Sequence, residues 1–182
     1  MATPEHRDLA DGPPRSVMIA AVAVAVAAVL GLFGFVALRQ TPPERRPVAI
    51  VSIPAPEADG ESCRALLDAL PERLGDYERA AVVDPAPKGA AAWRTEGDDT
   101  VILRCGLEQP LDFVAGTPVQ MVDEVAWFRI ADTGRTTWTT VDRPVYVALT
   151  LPDGSGSAPI QLVSAAVARV MPAVAVTPLP AR

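Results

Sequence analysis

Residues 17–38 read VMIAAVAVAVAAVLGLFGFVAL, 22 consecutive positions without a charge or a strongly polar side chain. A helix rises about 1.5 Å per residue, so this run would cover about 33 Å, enough to cross a hydrocarbon core of about 30 Å. A core helix rarely stays apolar on every face for so long. Secretory signal peptides have apolar cores of about 7–15 residues closed by a small-x-small site. This run is longer and is followed by RQTPPERR. The expectation is an uncleaved transmembrane signal anchor, with the membrane as a partner of residues 17–38. The chain then divides into a cytoplasmic tail (1–16), the span (17–38), a proline-rich stalk (39–61), a domain (62–172) and a flexible tail (173–182). The arginines near the span, Arg7 and Arg15 before it and Arg39, Arg45 and Arg46 after it, lean toward an outside N-terminus. The cysteines argue for the opposite orientation, and the expected localisation is a single-pass cell-membrane protein with its C-terminal domain extracytoplasmic.

Within the domain, Ser62 offers an N-cap, and Leu66, Leu67, Leu70 and Leu74 follow at helical spacing, with Pro71 able to divide the helix. Strand patterns occupy 78–84 and 100–105, with a loop between them ending near Trp93. Residues 124–152 read as three further strands. Thr133–Gly134 turns the first into the second, and Asp142–Arg143–Pro144 breaks the second from the third. In the third, Val145, Val147, Leu149 and Leu151 alternate with Tyr146, Ala148 and Thr150, the period of a half-buried strand. Ser157 can cap a last helix with the stripe Ile160, Val163, Val167 and Val170, ended by Pro172. The fold class is α+β: an N-terminal transmembrane helix followed by a small, mostly antiparallel sheet with two helices on one face.

Several chemistries are excluded by what is missing. Aspartate and glutamate total 22 against 16 lysines and arginines. That balance disfavours a phosphate backbone as partner, so no nucleic acid is expected. The one histidine is His6, outside the domain, which removes Ser-His-Asp and Cys-His catalysis. The GSGS stretch lacks the lysine of a phosphate loop. Two acidic clusters, Glu96, Asp98 and Asp99, and Asp123 and Glu124, offer carboxylate or calcium chemistry, or are simply solvated turns. No catalytic residue, cofactor or metal site is assigned. Trp93, Trp127 and Trp138, with Phe128, would line a ligand groove or pack in the core. Arg143 would hold an anionic group or a turn. Trp93, Trp127, Trp138 and Arg143 are therefore the candidates for ligand or partner contact.

The segments SCRALLDALPERL, Trp93, VILRCGLEQP, VAWF and TTVDRPVYVALTLP, in that order, resemble an actinobacterial family of uncharacterised membrane-anchored or secreted proteins, a domain of unknown function. The resemblance covers about residues 48–172. It implies an N-terminal anchor or lipoprotein signal, an extracytoplasmic domain and one Cys–Cys pair, and it carries no activity. This chain lacks the cysteine to which a lipid would be attached. Cys63 and Cys105 are too far apart for a Cys-x-x-Cys site and lack the companions of a zinc site, which leaves a disulfide or two buried thiols. An oxidising compartment favours the disulfide, tying the first helix to the Cys105 strand.

The leading functional expectation is a non-enzymatic interaction or accessory module of the cell envelope, with an envelope protein as partner. The alternative is a small-ligand or carbohydrate-binding domain using the aromatic residues, and the third reading is an enzyme using the acidic clusters. A concave site lined by tryptophan and arginine would mark a binding domain, and a flat exposed apolar patch an interaction module.

Overall fold

The computed structural model describes residues 15–39 and 46–181 of the 182-residue chain. The chain divides into two compact units, Met1–Glu44 and Arg45–Arg182. The described part of the first unit is one helix, α1 (Arg15–Arg39). Its described side chains, residues 16–32, are all exposed. No helix among the described residues is long and apolar enough to cross a membrane. The transmembrane helix expected over 17–38, and the single-pass cell-membrane localisation built on it, are corrected accordingly. Residues 1–14 of the expected tail and 40–45 of the expected stalk lie outside the described residues.

The second unit runs α2 (Glu61–Ala69), β1 (Arg73–Leu74), β2 (Tyr77–Ala80), β3 (Ala90–Arg94), β4 (Thr100–Leu107), β5 (Val119–Val122), β6 (Val125–Asp132), β7 (Arg135–Thr140), β8 (Tyr146–Pro152) and α3 (Ala158–Val170). The sheet is eight-stranded, in the order β1-β2-β3-β4-β8-β7-β6-β5, with every neighbouring pair antiparallel. Two four-stranded meanders thus meet edge to edge along β4 and β8. This replaces the small, mostly antiparallel sheet expected. The difference has local causes. β3 is AAAWR, alanine-rich and weak in strand propensity, and β5 is only four residues long. The first helix of this unit also starts two residues earlier than expected, capped at Gly60 and not Ser62, and stops at Ala69, because Pro71 disfavours helix at the residue before it.

Both helices of this unit bury their apolar stripes on one sheet face. Cys63 and Leu66 of α2, Leu70 just after it, and Ile160, Val163, Ala166 and Val167 of α3 share a core with Trp93, Val101, Leu103, Val147 and Leu149. The opposite face is covered by chain without regular structure. One patch gathers Val48 with Ala80, Ala92 and Ile102, and another gathers Phe113 with Ala126, Phe128 and Val141. The covering segments are held through their backbones. Val48 N donates to Ala81 O at 2.8 Å, Val83 N to Val48 O at 3.0 Å, and Val174 N to Asp142 O at 2.8 Å. Leu179 N donates to Phe113 O at 3.0 Å, and Ala115 N to Leu179 O at 2.8 Å. Residues expected to form part of a stalk and a loose tail therefore lie along the domain.

Strand β4 carries the Leu-Arg-Cys-Gly run, and each position has a separate structural role. Leu103 is fully buried under the helices. Arg104 faces the other side, where its Nη2 reaches Val51 O at 3.5 Å. Cys105 is bonded to Cys63 of α2, with Cα atoms 5.6 Å apart. Gly106 sits where the β4–β8 register shifts, at φ +86°, and its carbonyl accepts from Glu57 N at 3.1 Å. A Cβ there would stand 2.6 Å from Ala58 Cα and closer still to Ala58 N and Glu57 C.

Gly106→Ala should therefore cost at least about 2 kcal/mol, from the left-handed backbone and the backbone clash together. Replacing both cysteines by serine should cost roughly 4 kcal/mol, the loop-closure value for a span of this length. Urea unfolding of each variant against the parent chain checks both. A Gly106→Ala midpoint equal to the parent's would mean the 57–58 segment is not seated on the bulge.

Candidate functional site

The candidate contact residues do not converge. Trp93 is fully buried, its Nε1 donating to Pro71 O at 3.0 Å, with the Arg79 guanidinium 4.8 Å from its ring centroid. Burial lowers the Arg79 pKa, and the nearby Glu72 carboxylate partly opposes that shift. Trp127 is also fully buried, its Nε1 donating to Ser164 Oγ of α3 at 3.0 Å. Both indoles spend their one donor inside the fold.

Arg143 is buried too. Its Nη1 lies 2.9 Å from Asp142 Oδ2 and donates to Asp142 O at 3.0 Å, while Nη2 donates to Glu124 O at 2.6 Å. The Asp142 carboxylate accepts from Ala126 N at 3.0 Å. Side-chain exposures of 2% for Arg143 and 10% for Asp142 leave no room for an external anion. The pair ties the β5–β6 turn and the start of β6 to the connection between β7 and β8.

Trp138 alone of the four candidates meets open space. It is half-buried and lines an open cleft of about 620 Å³. The strands beneath the cleft supply Arg129, Thr136, Trp138 and Leu151. Its walls are Met121–Asp123 at the end of β5, the loop 152–157, and Ile160 and Gln161 of α3. The Arg129 guanidinium lies 5.7 Å from the Trp138 ring centroid. The two are direct cross-strand partners, in a register propagated from the Asp132–Arg135 pair at the Thr133–Gly134 turn. Gly154 and Gly156, at φ +79° and +71°, let the loop fold back beside the first turn of α3. Asp123, Asp153, Thr136, Ser155, Ser157 and Gln161 give the cleft both carboxylates and neutral hydrogen-bonding groups.

The acidic clusters separate. Asp123, at φ +52°, belongs to the cleft wall, while Glu124 gives its carbonyl to Arg143. Asp98, at φ +70°, is in the β3–β4 turn, 3.7 Å from Arg94 Nη1. Glu96 lines a second cleft, of about 370 Å³, with Arg73, Asp76, Glu78, Arg94 and Thr95. Among the described residues no group of three or more His, Cys, Asp or Glu could hold a metal ion. The sequence reading passed over Arg129 and Gln161. The turn at Thr133–Gly134 was the signal for Arg129, since a two-residue turn sets which residues of β6 and β7 face each other.

Arg143→Met should destabilise the chain by about 3–5 kcal/mol, because it leaves the Asp142 carboxylate buried beside an apolar group. Thermal or urea unfolding measures it. A change below about 1 kcal/mol would mean the carboxylate reaches water and the pair is not an internal tie.

No curated protein and no solved structure matches the chain. A family match does exist, and it takes in residues 22–176, which include the β4 run, the buried Asp142–Arg143 pair and every wall of the cleft. The chain belongs to the family described as "Protein of unknown function (DUF3515)".

Proposed function

We propose that the unit Arg45–Arg182 is a non-catalytic binding module. Its cleft takes a small ligand that combines one anionic group with an apolar face and several hydroxyls, the chemistry of an acidic carbohydrate. One observation carries this reading: the Arg129 guanidinium lies over the Trp138 ring, 5.7 Å from its centroid, and both line an open cleft of about 620 Å³. A tryptophan face accepts the C–H face of a sugar ring, and the guanidinium accepts a carboxylate through paired N–H donors. Asp123, Asp153, Thr136 and Gln161, which line the same cleft, supply hydrogen-bonding groups suited to ring hydroxyls. The concave shape, with tryptophan and arginine together, favours small-ligand or carbohydrate binding over an accessory module acting through a flat apolar patch. Catalysis is a poorer match. The domain lacks histidine.

The tryptophans supply their own probe. Trp93 and Trp127 are fully buried and Trp138 is half-buried, so an aqueous quencher reaches Trp138 first. Titration with a panel of uronic-acid oligosaccharides should protect the fluorescence from acrylamide in a saturable way. Neutral sugars of the same size should protect it less. Arg129→Ala should weaken the protection by roughly tenfold or more, since a hydrogen bond to a charged group contributes about 1.5–3 kcal/mol. Its unfolding midpoint should stay at the parent value, because Arg129 is exposed. Failure of every acidic sugar to saturate at millimolar concentration would overturn the reading.

A further inference from the structure

The two edges of the sheet are built differently. The edge at β1 is two residues long, with Leu74 fully buried and Arg73 paired to Glu78 at 3.0 Å. Shortness and charge are common ways to blunt a sheet edge against further pairing. The edge at β5 is twice as long and lacks the charge. Its four residues, Val119, Gln120, Met121 and Val122, carry no charge and no proline. Val119 is 37% exposed and Met121 62% exposed. Among the described residues no strand pairs with the outer side of β5, and no turn, loop or cap backbone hydrogen bond uses Val119 or Met121.

The register shows which groups face outward. The turn Asp123–Glu124 has two residues, with Val122 opposite Val125. A two-residue hairpin closes on a hydrogen-bonded pair, so Val122 and Gln120 turn their backbone groups toward β6. Val119 and Met121 then turn theirs outward, unpaired. Side chains alternate the other way, placing Val119 and Met121 on one sheet face and Gln120 and Val122 on the other.

We infer that β5 pairs antiparallel with β5 of a second copy of this chain, about a two-fold axis at Gln120. The strand is complementary to itself in that register. Val119 lies opposite the second copy's Met121, with both outward-facing backbones satisfied and apolar side chains meeting on the same face. Gln120 lies opposite Gln120, where two primary amides can donate to and accept from each other. Continuing outward, Val122 meets Pro118 and Asp123 meets Thr117, so no like charges stand opposite one another. An isologous contact of this kind closes at two copies and leaves the short, charged β1 edges at the outer ends.

A cysteine at position 120 tests the pairing in the full chain. The native cysteines are bonded to each other, so the new thiol is the only free one. In a non-hydrogen-bonded antiparallel pair the Cα atoms stand about 4.5 Å apart, within disulfide range. Gln120→Cys should form a covalent dimer under mild oxidation, and far faster than Asp153→Cys in the exposed loop. The exposed apolar helix α1 can associate on its own, so the position of the bond, and not dimer formation alone, is the readout. Met121→Lys in the Gln120→Cys background, which sets a charge against the apolar Val119, should slow cross-linking roughly tenfold or more. Cross-linking at 120 no faster than at 153, or indifferent to Met121→Lys, would overturn the inference. So would capture of a different protein's strand at 120 in place of a second copy.

Discussion

The pairing of β4 with β8 is the contact on which the rest of the structure depends. Every other strand pair joins neighbours in sequence, so each half of the sheet is a local meander. β4 with β8 alone joins the halves, and it does so across the β5–β7 meander that intervenes in the chain. Pairings of such separation cost loop-closure entropy and need compensating contacts at the seam. β4 concentrates them. Its inner face carries Leu103 and the Cys105 bond to α2, and the bulge at Gly106 seats the 57–58 segment. One strand thus locks a helix on one face and the covering chain on the other. A slip of one residue would turn Cys105 away from Cys63 and set a side chain where only a glycine fits.

The same arrangement explains why most of the aromatic residues are unavailable to a ligand. Trp93, Trp127 and Trp138 all project from the helix-covered face, yet only Trp138 stands at the border of the covered area. Trp93 lies beneath α2 and the chain at Pro71, and Trp127 beneath α3 at Ser164. Depth under a helix, and not residue type, separates core from site. The half-buried Arg104 on the opposite face shows a related effect. Burial lowers its pKa and the neighbouring Arg135 lowers it further.

The sequence was legible where a pattern was local. The alternation of Val145, Val147, Leu149 and Leu151, the turn at Thr133–Gly134 and the apolar stripe of α3 could all be read directly, because each is set within a dozen residues. β3 and β5 could not be. Three alanines before Trp93 look like a loop, and they form a strand only because β2 and β4 flank them. The apolar run at 17–38 misled in the opposite sense, as hydropathy alone suggested a span that the described helix does not supply. For the cleft, Arg129 beside Trp138 follows from the hairpin register, but the meeting of Asp123, the 152–157 loop and α3 is tertiary and leaves no mark in the spacing.

Arg143, expected to hold an anionic group or a turn, holds a turn, and through it governs a surface. Its Nη2 holds the carbonyl of Glu124 and its partner Asp142 holds the amide of Ala126. Those two atoms bracket the chain that follows Asp123, the acidic residue on the cleft wall. β5 is otherwise tied to the sheet along one side only, through β6. A two-residue turn at the end of an edge strand would ordinarily be among the looser parts of a sheet. Here a buried charge pair, with hydrogen bonds to fixed backbone atoms, restrains it from below. The desolvation cost of that pair is large, and an apolar pair of equal volume would hold the core as well. What the apolar pair would lack is direction, since only donors and acceptors fix a backbone carbonyl and an amide in place. The buried pair at Asp142–Arg143 is therefore better understood as setting the position of the cleft wall and of the open β5 edge than as adding stability.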